Sequence, residues 1–214
     1  MSTQINTEQK VVIIDTGCAN ISSVKFAIER IGVAVTVSDE PAVIKAADKV
    51  LLPGVGSAFA AMNSIKQKQL VELIQSLTQP VLGICLGMQL MTELSEESPG
   101  SHLAIDSNNN VECLNLIPTQ IKRMQVGDLV LPHMGWNQIK TENNSPLFDG
   151  IEDGTFFYFV HSFCAPLSEY TLVSCEYGQA FSAAIAKDNF YGVQFHPERS
   201  GQAGAQLLAN FIKM

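Results

Sequence analysis

Residues 11–17 read Val-Val-Ile-Ile-Asp-Thr-Gly, a β-branched apolar run that stops at turn residues. Four apolar residues with no polar alternation predict a strand hidden on both faces. From Ser22 onward Val24, Ile28 and Ile31 recur at helical spacing until Gly32, and Val33, Val35 and Val37 then begin a second extended segment. Val50, Leu51 and Leu52 run into Pro53-Gly54-Val55-Gly56, and a helical stretch around residues 70–77 leads to the apolar run Val81–Cys85. Strand and helix thus alternate through four strands. Parallel strands need crossover helices, and those helices cover both faces of the sheet, so the first half predicts an α/β fold with a mainly parallel sheet.

Beyond about Glu112 the texture changes to short segments, residues 119–124, 156–161, 171–177, 181–185 and 191–195, separated by turn residues. These predict antiparallel additions to the same domain. No internal repeat, low-complexity tract or linker divides the chain, so residues 11–214 predict a single domain behind a flexible tail, residues 1–10. The stretch 95–110, which ends in three consecutive asparagines, predicts an exposed loop.

At 214 residues the chain has the length of one large domain, roughly 150 residues being usual, and buries about 70% of its surface on folding. Hydrophobic residues make up 46% and charged residues 16%, which excludes intrinsic disorder. Thirteen Lys and Arg against 21 Asp and Glu leave a net charge of −8, which repels a nucleic-acid backbone. No run of ~18 apolar residues occurs and the first ten residues are polar, so neither a membrane span nor a signal peptide is expected, and a cytoplasmic location is. The five cysteines, Cys18, Cys85, Cys113, Cys164 and Cys175, are odd in number and form no CxxC pair. They read as free thiols, most of them buried and inert.

Cys85 stands apart. It ends an apolar strand in the segment Pro80-Val-Leu-Gly-Ile-Cys-Leu-Gly-Met-Gln-Leu-Met, with Gly83 and Gly87 two residues to either side. This is the GxSxG nucleophile elbow with sulfur in place of oxygen, where the flanking glycines let strand and helix approach closely. Independent placement of the glycines and cysteines of this chain produces GxCxG in about one chain in forty. The elbow sets Cys85 at the N-terminus of a helix expected to start near Met88, where dipole and free amides favour the thiolate that attack requires. Leu86 N–H is the first expected oxyanion donor, and the Gly54-Val55-Gly56 turn is the source of the second.

A cysteine nucleophile needs a base and an orienter. Of four histidines, His102 lies in the predicted loop, His161 closes an apolar run and His133 follows a proline, and all three read as structural or surface groups. His196 follows the run 191–195 and precedes Pro197 and Glu198. Residues i and i+2 of an extended segment face the same way, so the Glu198 carboxylate can take one ring N–H and leave the other nitrogen for the thiol. A metal reading finds no HxxxH or paired Cys/His spacing, and His196 with Glu198 supplies too few ligands.

The segments GICLGMQ at 83–89, FHPE at 195–198 and PGVG at 53–56 resemble, in sequence and order, the class I, triad-type glutamine amidotransferases, over essentially residue 11 to the end. DTGCANISS at 15–23, LPHMGWN at 131–137 and FYFVHSF at 157–163 are similar to the glutaminase subunits of imidazole glycerol phosphate synthase, from histidine biosynthesis. LPHMGWN discriminates best, since related amidotransferases share the triad and not that phrase. The resemblance implies a flavodoxin-like three-layer fold, L-glutamine as substrate, no metal or organic cofactor, and a heterodimer with the cyclase subunit, a (β/α)8 barrel. It implies Cys85 as nucleophile, His196 as acid and base and Glu198 as its orienter. It further implies that Gln89, the strand Gly54, Val55 and Gly56, and the main chain around Ser162 hold glutamine, and that Asn20, Trp136, Tyr158 and Lys187 face the cyclase. Many relatives carry Tyr where this chain has Phe163, which withdraws any hydroxyl role there. Two other readings stay open: another triad amidotransferase or a γ-glutamyl hydrolase, and a non-catalytic binding module on a flavodoxin-like fold.

Overall fold

The computed structural model describes residues 9–17, 20–97 and 110–214. Most of the expected tail, Cys18, His102 and most of the expected loop at 95–110 lie outside the described residues. From the N-terminus come β1 (Val11–Ile14), α1 (Ile21–Arg30), β2 (Val35–Ser38), α2 (Pro41–Lys45), β3 (Lys49–Gly54), α3 (Ala58–Gln67), α4 (Val71–Gln75), β4 (Val81–Cys85) and α5 (Leu86–Leu90). Short strands follow: β5 (Leu94–Ser95), β6 (Val111–Glu112), β7 (Gln120–Arg123), β8 (His133–Gln138) and β9 (Lys140–Thr141). The last third holds β10 (Phe156–His161), β11 (Phe163–Cys164), β12 (Thr171–Glu176), β13 (Ala180–Lys187), β14 (Phe190–Val193) and α6 (Gly201–Lys213).

The main sheet has the order β2-β1-β3-β4-β14-β13-β12-β9. β2, β1, β3, β4 and β14 are mutually parallel, and β13, β12 and β9 extend the sheet in antiparallel fashion. The first five strands reproduce the 2-1-3-4-5 order of a flavodoxin-like sheet. Side-chain alternation along these strands divides the core into two layers. Val11, Ile13, Leu51, Leu82 and Ile84 pack with Val24 and Ile28 of α1 and with Leu207, Leu208, Phe211 and Ile212 of α6. Val12, Ile14, Val50, Leu52 and Val81 pack with Ile44 of α2, Ala61, Met62 and Ile65 of α3, and Ile74 of α4. Continuous apolar strands and helices on both faces are the same fact seen from sequence and from structure. Among the described residues no helix is long and apolar enough to cross a membrane.

One expectation fails in a useful way. The run 191–195 reads as an antiparallel addition, and β14 is instead the fifth parallel strand, with Val193 opposite Ile84 of β4. It is reached from β13 by a tight turn at Asp188, whose φ is +54°, so no crossover helix announces it. The other late segments do pair antiparallel, although β8 and β10 form a separate ribbon and β7 belongs to a four-stranded sheet with β11, β5 and β6, parallel to β5 within it. The expected loop at 95–110 begins and ends in that small sheet, where Ser95 pairs with Val111.

Helix α5 crosses the ends of β3 and β4 at backbone contact distance. A methyl group at Gly83 would lie 2.7 Å from the Gly87 carbonyl oxygen, and one at Gly87 would overlap the Leu52 carbonyl. Gly87→Ala is therefore expected to destabilise the fold at the upper end of the ~1–3 kcal/mol typical of over-packing, or beyond it. Denaturant unfolding measures this, and an unchanged midpoint would contradict the crossing.

Candidate active site

β4 ends at Cys85, whose φ of +53° and ψ of −111° lie in a region that side chains other than glycine avoid, at a cost of ~1–3 kcal/mol. The next residue already begins α5. The helix starts at Leu86 rather than near Met88, so Cys85 is its N-cap and the amides of Leu86 and Gly87 belong to its first turn, where backbone donors have no partner within the helix. With only five residues α5 carries a small dipole, and the amides nearest the sulfur supply most of its effect.

β14 runs parallel to β4 and carries Gln194, Phe195 and His196 past the same sheet edge as Cys85. His196 Nδ1 lies 2.8 Å from Glu198 Oε1, with the Glu198 side chain only 2% exposed. The contact forms through a 3₁₀ turn, Pro197–Arg199, rather than through the extended segment expected. A carboxylate accepts, so the proton sits on Nδ1, and Nε2 is left to face the thiol. Burial disfavours the imidazolium, but hydrogen bonds and charge from Cys85 and Glu198 outweigh it and raise the His196 pKa to about 10. The other Glu198 oxygen, Oε2, is buried and has no hydrogen-bond partner among the described residues. The remaining described thiols differ: burial pushes Cys113, Cys164 and Cys175 up to about 12, so they stay protonated and inert.

A cavity of about 280 Å³ opens over the sulfur, bounded by Val55, Gly56, Leu86, Gln89, Ser162 and His196, and by Glu97, whose Oε2 accepts the Ala58 amide at 3.0 Å. A larger hollow of about 690 Å³ lies between Thr141, Pro146 and α6, and neither a cysteine nor a histidine is among the residues that line it. Gly54 does not line the active cavity. It ends β3 beneath α5, where a methyl would meet the Gly87 nitrogen at 2.9 Å. Gln89 lines the cavity yet turns its amide inward, donating to the Phe163 carbonyl at 3.0 Å and to Gln194 Oε1 at 2.9 Å. The Ser162 carbonyl is already taken by the Met124 amide at 3.0 Å. Phe163 contributes its carbonyl, and its ring is buried. Sequence reasoning misses Glu97 and Gln194, since neither sits in a spacing that marks chemistry.

His161 and His133 are buried and face one another, His133 Nδ1 to His161 Nε2 at 3.0 Å. His161 Nδ1 lies 2.9 Å from the Phe163 carbonyl and must donate to it, so its Nε2 accepts from His133. Asn137 Nδ2, 3.3 Å from His133 Nε2, closes the chain as a donor. The structural reading of both histidines fits this chain, which also puts His161 in the cavity wall. On β8 and β10, Trp136 stands opposite Tyr158 in register, their rings edge to face at 6.0 Å, with Trp136 54% exposed. The Tyr158 carbonyl accepts the His196 amide at 2.8 Å, which ties this ribbon to the triad. Asn20 precedes α1 at the end of β1 on the same sheet edge as Cys85. Lys187 does not join them: it pairs with Phe190, which pairs with Val81 at the opposite end of β4 from Cys85, and its ammonium meets Asp188 at 3.6 Å.

Residues 12–214 match the family model of glutamine amidotransferase class-I. The chain belongs to the class I glutamine amidotransferases. It is 56% identical over 206 residues, 96% of this chain and 99% of the relative, to the imidazole glycerol phosphate synthase subunit HisH of Vibrio cholerae. To the HisH subunit of Shewanella oneidensis it is 59% identical over 218 residues, 98% of each chain. Within the class, this amidotransferase therefore belongs to the HisH family. Among solved structures it resembles glutamine amidotransferase from Thermotoga maritima, with TM-score 0.58, 17% identity and coverage of 90% and 77% of the two chains. It also resembles PurLQS from Thermotoga maritima, with TM-score 0.69, 16% identity and coverage of 96% and 98%. At that identity the likeness is one of fold.

Burial holds the pKa of His133 down to about 4 and that of His161 to about 3. The unfolded chain binds these two protons near the ordinary value of 6.5, so the stability their neutral form contributes is complete above 6.5. It is lost as pH falls from there through 4 and 3. His196 shifts the opposite way, and its contribution is already constant below 6.5. Thermal unfolding is therefore expected to show Tm falling as the pH drops from 6.5 toward 4.5. Replacing His133 by Asn should flatten that slope; an unchanged slope would contradict the neutral pair.

Proposed function

We propose that Cys85, His196 and Glu198 hydrolyse L-glutamine to glutamate and ammonia, and that the ammonia passes to the cyclase subunit of an imidazole glycerol phosphate synthase. The observation that carries this reading is the left-handed Cys85 at a strand-to-helix elbow, lining one cavity with an imidazole that a buried carboxylate orients. With the thiol's proton held on His196 Nε2, as the raised pKa of that imidazole favours, the sulfur attacks the carboxamide carbon. The resulting oxyanion meets the Leu86 amide and a peptide of the Val55-Gly56 turn. His196 then returns the proton to the leaving nitrogen, ammonia departs, and a γ-glutamyl thioester remains on Cys85. Water gives a proton to the same imidazole and attacks the thioester, which releases glutamate and restores the thiol. Glu97 on the cavity wall suits the α-ammonium group of glutamine.

Ammonia released into water near neutral pH takes up a proton and ceases to be a nucleophile. A dry route into a second active site follows from that chemistry, and the partner of this reading is the (β/α)8 cyclase in a heterodimer. Its docking surface is the exposed Met134 and Trp136 with Tyr158, beside the triad, and Asn20 lies on the same sheet edge. Lys187, at the other end of the sheet, is left out. The relatives named as synthase subunits support this partner over a free-standing γ-glutamyl hydrolase.

The test separates the two half-reactions. In the assembled synthase, Cys85→Ala should abolish product formation from glutamine while leaving formation from added ammonium salt. Equal loss of both activities would contradict the division of labour.

A further inference from the structure

From the sulfur runs a chain of polar groups that the reaction as described does not use. Gln194 is fully buried, in the first residue after β14, and does not reach the substrate cavity. Its Nε2 lies 3.7 Å from Cys85 Sγ, and its Oε1 accepts from Gln89 Nε2 at 2.9 Å. Gln89 Nε2 also donates to the Phe163 carbonyl at 3.0 Å. A backbone carbonyl can only accept, so it fixes which end of the Gln89 amide faces it. That in turn fixes Gln194: reversing its amide would set two NH₂ groups together and turn an oxygen onto the sulfur. The orientation that points N–H at Cys85 is thus imposed from two residues away.

The sulfur has a second neighbour of opposite character. Its thiol donates to the Val160 carbonyl at 3.8 Å, a contact that favours the protonated form. Once the proton moves to His196, this carbonyl repels the sulfur, while an N–H donor bonds a thiolate more strongly than a thiol. We propose that Gln194 is a positioning residue for the nucleophile: its amide, aligned by Gln89 and the Phe163 carbonyl, holds the Cys85 sulfur in the elbow and favours its thiolate. This inference rests on Cys85 being the nucleophile.

The test reads the thiolate directly. Iodoacetamide alkylation of the full chain is followed as a function of pH, with Cys85 quantified by peptide mass spectrometry and with glutamine as protectant. Gln194→Met keeps length and apolar bulk and removes the donor. Its alkylation midpoint is expected about one pH unit higher, with alkylation about tenfold slower at a fixed pH below the midpoint. In the synthase its glutaminase kcat should fall with KM nearly unchanged, because Gln194 does not line the cavity. An unchanged midpoint overturns the proposal. Should Gln194→Met fail to fold, Gln89→Met leaves Gln194 in place and frees its amide to turn; a smaller upward shift is expected, and no shift overturns the proposal. If glutamine fails to protect Cys85 of the unaltered chain, the nucleophile reading falls instead. Protection together with an unmoved midpoint sinks the role of Gln194 alone.

Discussion

The backbone of α5 passes over β3 so closely that Gly87 rests on the Leu52 carbonyl with no room for a side chain, and the positions of the groups proposed to react follow from that contact. A helix packed this tightly against the strand beside its own leaves no space for a gradual turn between β4 and α5. Cys85 absorbs the whole change of direction in one left-handed residue. The strain, ~1–3 kcal/mol, is held by the surrounding core, in which Leu52, Leu82, Ile84 and Met88 are all essentially buried. In return the sulfur stands at the C-terminal end of the interior strand β4, level with the end of its parallel neighbour β14.

That neighbour explains the rest of the proposed triad. Because Val193 pairs with Ile84, the three residues that continue β14 arrive at the level of the elbow: Gln194 with its amide on the sulfur, Phe195 in the core, and His196 in the wall of the cavity that Cys85 also lines. Glu198 follows within one 3₁₀ turn, and the amide of His196 is held by the Tyr158 carbonyl. The imidazole is therefore fixed from two sides, by a carboxylate on its ring and by the β8–β10 ribbon on its backbone. Since that ribbon also exposes Trp136 and Met134, a partner seated on it would touch an element bonded directly to His196, the base of the proposed reaction.

Much of this is legible in the sequence. The strands of the first half can be read because a doubly covered strand has no polar residue to spare, and the elbow because its glycines are required by contact distances that tolerate nothing larger. His196 and Glu198 can be paired from their spacing alone, although a 3₁₀ turn rather than extended backbone brings them together. What the sequence conceals depends on tertiary approach. β14 looks like an antiparallel addition because a hairpin, not a helix, precedes it. Gln194 and Glu97 sit in no telling pattern, and Lys187 can be assigned to the far end of the sheet only once the register of β13 and β14 is known.

The central claim is that one thiol among several is made reactive by its position. Its most direct test is labelling with a glutamine analogue bearing an electrophilic ketone or diazoketone, with the modified residue located by mass spectrometry in the assembled complex. The account predicts a single label on Cys85, suppressed by excess glutamine, while Cys113, Cys164 and Cys175, whose thiols burial keeps protonated, remain untouched. Label on any of those three, or none on Cys85, would contradict it.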